Sequence, residues 1–296
     1  MQHRPLDEQA IVVFGATSGI GRATALQAAE AGARVVAAGR DREALDSLVH
    51  ESPVGSVVAG TADAADADAV AAIAGLAADT FGGIDTWAHV AGVAEYGRFE
   101  DVTVDEFRRV VEVDLLGAVW GTRAALPHLR RSRGALVVVS SEIAERGFPL
   151  LTSYSAAKHG VAGFLESLRD ELRHEDAGVS VTQVKPAAIA TPFFEHARTR
   201  LGVRPSGPPP VYEPEKVADA ILQAAEHGGR DLTVGGAAKV QLALQRLSPR
   251  LMDGLARAVA FRFQRSGEPK QPTDDALFEA PSGDDRVRGE VTTTHR

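Results

Sequence analysis

No cysteine occurs anywhere in the 296 residues, which excludes disulfides, thiolate catalysis and cysteine-ligated zinc. A reducing cytoplasm is therefore the expected compartment. Aromatic residues make up only 5% of the chain, so a core must be built on Ala, Val, Leu and Ile. No apolar run approaches the roughly 20 residues that a membrane-spanning helix needs. Met1–Gln9 is polar and of mixed charge, without the apolar stretch of a secretion signal. Basic excess is missing too. The 32 Lys and Arg stand against 40 Asp and Glu, net −8, which argues against nucleic acid as a partner.

The 44% of hydrophobic residues fall into an alternating pattern. Ala10–Phe14, Arg34–Ala38, Ser56–Ala59, Ile84–Val90, Ala135–Ser140 and Val179–Val184 read as strands, nearly continuous in apolar residues. Such runs suit a parallel sheet covered on both faces. Gly19–Ala31, Arg42–His50, Asp66–Thr80, Val104–Arg130 and Ser153–Glu175 have helical apolar spacing between them. The expected fold is α/β: a doubly wound parallel sheet of Rossmann type in three α/β/α layers, with right-handed crossovers. Residues 1–238 are assigned to this domain.

After Thr191 the pattern changes. Arg200–Pro214 is rich in Pro and Gly and is read as a mobile loop, Glu215–His227 as a helix and Asp231–Val234 as a last strand. Residues 239–265 form a C-terminal helical extension whose six basic side chains against one acidic give about +5. Residues 266–296 carry seven acidic and four basic groups, about −3, and are expected to be a disordered tail.

Chemistry enters at Gly15-Ala16-Thr17-Ser18-Gly19-Ile20-Gly21, directly after the first strand. Glycines there permit a tight turn and close approach of backbone to a pyrophosphate, and the following helix offers unpaired N–H groups. The bland reading is a Gly-rich strand–helix turn without a nucleotide. A second motif is Tyr154-Ser155-Ala156-Ala157-Lys158. Residues four apart share a helix face, and an ammonium near a phenol lowers its pKa, making the pair a candidate acid/base. Alone, such a pair is equally a surface contact.

Together these motifs resemble the short-chain dehydrogenase/reductase family, which combines a GxxxGxG turn with a YxxxK pair over residues 9–236 here. The resemblance places a catalytic Ser thirteen positions before the Tyr, at Ser141 in Val137-Val138-Val139-Ser140-Ser141. It implies that Ser141 positions the substrate oxygen, that Tyr154 gives or takes the proton, and that Lys158 depresses the Tyr154 pKa and holds the nicotinamide ribose. Ser140 is read as structural. Gly15, Thr17, Ser18, Gly19, Ile20 and Gly21 become cofactor-binding residues. So do Asp63, matched to an adenine contact, Ala91 and Gly92 beside the riboses, and Ile189 and Thr191 around the carboxamide. Tyr154 and Lys158 belong to both sets, and no metal is implied.

Three positions depart from the family pattern. The usual Asn-Asn-Ala-Gly reads His89-Val90-Ala91-Gly92, with His89 taken as a hydrogen-bonded strand-end histidine rather than a catalytic one. The usual proton-relay Asn reads Asp114 in Val113-Asp114-Leu115-Leu116-Gly117. Asp114 is kept as a relay member, although a carboxylate there can pair with Lys158 and blunt its effect on Tyr154. Phe14 replaces the common Thr before the first glycine.

Cofactor choice rests on Gly39-Arg40, where Gly39 occupies the place of the acid that accepts from the ribose of NAD. Arg40 suits a 2′-phosphate, so NADP(H) is expected in preference to NAD(H). The substrate is expected to be a small carbonyl or alcohol compound. Phe193, Phe194 and Val203 suggest an apolar, lipophile-accepting wall. The resemblance also implies a homo-oligomer. Two other classes stay open: a nucleotide-binding sensor or scaffold with little turnover, and peripheral membrane contact through residues 239–265. A helical appendage packed on the body is favoured over the latter.

Overall fold

The computed structural model describes residues 2–236, 263–271 and 275–290, with isolated positions between them. In chain order the elements are β1 (Ala10–Phe14), α1 (Gly19–Glu30), β2 (Arg34–Gly39), α2 (Arg42–Glu51), β3 (Val57–Thr61), α3 (Ala67–Phe81), β4 (Thr86–His89) and β5 (Glu95–Tyr96). There follow α4 (Val104–Val111), α5 (Gly117–Ser132), β6 (Ala135–Val139), α6 (Thr152–His174), β7 (Ser180–Pro186), α7 (Phe193–His196), β8 (Arg198–Thr199) and β9 (Val203–Pro205). The last are α8 (Glu215–His227), β10 (Asp231–Val234) and β11 (Arg265–Pro269).

The central sheet has seven strands in the order β3-β2-β1-β4-β6-β7-β10, every pair parallel. Helices cover both faces, giving the three-layer Rossmann-type fold. Every residue of β1, β6 and β7 is buried; β1 and β6 accordingly read as unbroken apolar runs, whereas β7 also buries Ser180, Thr182, Gln183 and Lys185. Small side chains let the layers approach: Ala25, Ala28 and Ala29 of α1 pack against Val13, Val35 and Ala37. The chain reverses direction across the sheet between β1 and β4, so the carboxyl ends of these strands open into a crevice.

Three expectations need correction. The helix expected over Val104–Arg130 is interrupted by a π-helical turn at Glu112–Leu116. One residue inserted into a turn leaves the apolar spacing on either side intact, so periodicity does not show it. The loop Arg200–Pro214 contains β9, which pairs antiparallel with β11. Residues 275–290, expected to lack order, lie against the domain through a series of hydrogen bonds to residues far away in sequence. The proposed helical extension 239–265 falls largely outside the described residues.

Candidate active site

At the end of β1 the chain turns through Gly15, whose φ of +99° favours glycine and whose Cβ, if present, would lie 2.5 Å from the Ala91 backbone nitrogen. A Cβ on Gly21 would meet the Gly15 carbonyl oxygen at 1.9 Å. Any side chain at these positions would push α1 off the sheet or the turn off the Ala91 strand end. Ser18 caps α1 from an extended conformation, yet its hydroxyl makes no bond to the helix. It is thus free to serve a ligand. Thr191 packs across Gly19, with Cβ 3.1 Å from where a Gly19 Cβ would stand.

A cavity of about 270 Å³ runs over this turn. Gly15, Thr17, Ser18, Gly19, Ile20 and Gly21 line it at one end, with Arg40 and Asp63 beyond β2 and β3. Ala91, Gly92, Ile189 and Thr191 line its middle, and Ser141, Tyr154 and Lys158 its other end. Fifteen of the sixteen site residues expected from sequence therefore meet in one place. The exception, Asp114, lies off the cavity wall, behind Lys158. Asp63 reaches the wall with its carboxylate already engaged: Arg109 donates to it at 2.5 Å and the Ala65 N–H at 3.0 Å. Burial opposes its charge, but those bonds hold its pKa below the ordinary value.

Ser141 ends β6 and caps a short 3-10 turn, its oxygen accepting from the Ile143 N–H at 3.2 Å. Its hydroxyl also acts on the Tyr154 phenol, in the direction that lowers that group's pKa. Lys158, one turn along α6, stands 5.3 Å from the centre of the Tyr154 ring. Asp114, carried inward by the π-helical turn, pairs with the Lys158 ammonium at 3.0 Å and accepts from the Val93 N–H at 2.8 Å. Both ionic side chains are buried, at 4% and 0% exposure. The Tyr154 pKa is raised, by burial first and by the Asp114 charge second, while Ser141 acts in the opposite sense. Asp114 itself is raised by burial, against the pull of Lys158.

His89 corrects a further expectation. It is buried, and neither ring nitrogen has a hydrogen-bond partner among the described residues. The ring stacks instead on Phe14, centroids 5.4 Å apart and planes 12° apart. Burial pushes its pKa down to about 3, so the imidazole is neutral. The Ser140 hydroxyl is buried at the cavity edge and likewise lacks a partner among the described residues.

Beyond Tyr154 the wall is apolar: Phe193 lies 5.8 Å from the Tyr154 ring, and Phe194 packs edge-on to Phe193 at 5.6 Å. Val203 does not reach the cavity, because it pairs with Pro269 in the β9–β11 ribbon. Sequence reasoning missed Tyr96, Glu142, Ala276, Ala280, Pro281 and Asp284, all of which line the cavity. Glu142 follows Ser141, and burial pushes its carboxyl up to about 7. Its place after a strand-end serine was the one available pointer.

The glycine cradle, the unattached Ser18 hydroxyl, the orphaned Ser140 hydroxyl and the Arg40 guanidinium together fit a phosphorylated dinucleotide. Among the described residues no cluster suits a metal ion, and no helix is long and apolar enough to cross a membrane. Comparison with known proteins agrees. The short chain dehydrogenase family model matches residues 9–202. The uncharacterized oxidoreductase YxnA of Bacillus subtilis is 41% identical over 286 residues, 95% of this chain and 80% of that protein. Dehydrogenase/reductase SDR family member 7B of Mus musculus is 36% identical over 203 residues, 66% of this chain and 62% of its own length. Its Bos taurus counterpart is 32% identical over 270 residues, 86% and 82% of the two chains. With a motif-bearing fold, a site assembled where the motifs predict and these relatives, the chain belongs to the short-chain dehydrogenase/reductase family of oxidoreductases, which use nicotinamide dinucleotides.

Proposed function

We propose that this protein transfers hydride between NADP(H) and a carbonyl or alcohol substrate, with Tyr154 as the acid/base. The observation that carries the reading is the convergence of Ser141, Tyr154 and Lys158 on the cavity that also holds the glycine turn and Arg40. When bound, the cofactor supplies or accepts the hydride; orientation and charge come from the protein. The Gly15–Gly21 turn would hold the pyrophosphate, Ile189 and Thr191 the carboxamide, and Arg40 the 2′-phosphate. Preference for the phosphorylated form has a second support. A side chain at Gly39, where an acid would repel that phosphate, would bring its Cβ within 2.6 Å of Thr17 Cγ2.

Ser141 holds the substrate oxygen beside Tyr154. In reduction the phenol donates its proton to that oxygen; in oxidation it removes it. Burial and Asp114 favour the protonated phenol, which is the form reduction needs. Lys158 lies against the ring with its charge partly answered by Asp114. Phe193, Phe194 and Tyr96 favour a lipophilic substrate and keep water from the reacting oxygen.

Screening apolar aldehydes and ketones for NADPH oxidation tests the reading. Tyr154→Phe should lower kcat by about 10²–10⁴-fold while NADPH still binds, weakened only by the lost phenol contact. Tight NADPH binding without turnover on any substrate would instead support a nucleotide-binding sensor. The buried Asp114–Lys158 pair is the observation that favours that second reading.

A further inference from the structure

The C-terminal residues 275–290 return to the crevice and cross its mouth. They begin at the substrate end, where the Ala276 N–H donates to the His196 carbonyl at 2.8 Å. Leu277, 1% exposed, packs among Tyr96, Tyr154 and Phe194. The Arg40 guanidinium then donates to the carbonyl oxygens of Ala276 at 2.5 Å and Phe278 at 3.1 Å. Further along, the Gly283 N–H donates to Asp41 at 2.7 Å, and Ser47 donates to the Asp285 carboxylate at 2.6 Å. The Gly19 N–H, at the first turn of α1, donates to the Arg286 carbonyl at 2.9 Å.

Two of these contacts fall on the donors that a phosphorylated dinucleotide needs. Arg40 is the group proposed for its 2′-phosphate, and the Gly19 amide belongs to the cradle proposed for its pyrophosphate. Tail carbonyl oxygens now occupy both. The Asp284 and Asp285 carboxylates stand near the same turn, Asp284 held ionised by Arg286 and His196. Phosphates entering with the segment in place would meet like charge. The cavity left beneath, about 270 Å³, is smaller than the roughly 300–1,000 Å³ of ordinary small-molecule sites.

We propose that residues 275–290 are an intramolecular competitor of the dinucleotide, imitating its phosphates with backbone carbonyls and releasing Arg40 and Gly19 when it binds. The proposal rests on the cofactor assignment above. Because Arg40 serves only the 2′-phosphate, the competition weighs more on NADPH than on NADH, so the segment also tunes cofactor selectivity.

The test titrates NADPH and NADH by fluorescence into the full chain and into a chain ending at Gln271, which retains β11. Truncation should tighten NADPH binding on the order of tenfold and NADH binding less. Removing the segment uncovers the surface beneath Leu277, so a full-length Asp284→Asn/Asp285→Asn variant provides an independent arm, expected to gain a smaller factor in the same order. Hydrogen exchange within 275–290 of the full chain should quicken on adding NADPH. Equal or weaker NADPH binding by both variants, or slower exchange as the segment closes over bound NADPH, overturns the proposal alone. Failure of every chain to bind either nucleotide overturns the cofactor assignment with it.

Discussion

Among the described residues two lysines are buried beside carboxylates, and they do different things. Lys158 has one ionic partner, Asp114, at 3.0 Å, and that partner is 0% exposed. Lys185 on β7 has two, Glu145 at 2.7 Å and Asp231 at 3.4 Å, exposed by 20% and 31%. Water screens the second group and leaves the first alone. The Lys185 cluster ties β7 to β10 and to the turn after β6, as a structural clamp. The Lys158 pair projects its field into the cavity, where the Asp114 charge raises the Tyr154 pKa. Dryness of the partner, more than burial of the lysine, separates a chemical pair from a mechanical one.

The largest effect that could break this comparison comes from the lysines themselves. Lys158→Met should cost about 10²–10⁴-fold in turnover and, by leaving Asp114 buried and alone, about 3–5 kcal/mol of stability. Lys185→Met should lower stability by a smaller amount and leave the turnover of folded protein intact. Steady-state rates with urea unfolding of both variants decide; turnover lost in Lys185→Met at unchanged stability would erase the distinction.

Next in size is a carboxyl belonging to neither pair. Glu142 has no ion-pair partner among the described residues, and burial lifts it from 4.5 to about 7. Between those values the folded state holds the proton more tightly than the unfolded one, so stability falls as pH rises through that window. The loss is on the order of 3 kcal/mol. Urea unfolding at pH 5 and pH 8 should show it in the wild type and show a flatter response in Glu142→Gln.

Smaller still, Asp114→Asn removes the charge that opposes phenolate formation. The pH profile of alcohol oxidation should move to lower pH, with a gain of roughly threefold to tenfold at neutral pH. An unmoved profile would mean that Asp114 does not reach Tyr154. Glu145→Gln sets the lower bound. Asp231 stays beside Lys185, so thermal unfolding should show less than about 1 kcal/mol of change.

Much of this architecture could be read in advance, for identifiable reasons. Strands covered on both faces are rich in apolar residues, so β1 and β6, apolar from end to end, announced themselves. Tyr154 and Lys158 meet because a helix brings residues four apart together, and the carboxylate at position 114 already suggested a partner for Lys158. The π-helical turn that delivers Asp114 left no trace in apolar spacing. Residues 275–290 were hidden for another reason. Their anchors on Arg40, Arg109 and Gly19 are carbonyl oxygens, which every residue carries, so composition had nothing to report. The same holds for His89, whose companion proved to be a ring on the next strand.

That companionship has a consequence for anyone redesigning the strand ends. Phe14 and His89 are direct register partners on β1 and β4, and both stand at positions where the sequence departs from the pattern that the family resemblance implied. Exchanging Phe14 alone would strip the imidazole of its stacking surface, and exchanging His89 alone would set an amide against a phenyl face. The two sites behave as a single interchangeable part, to be swapped in lockstep or left as they are.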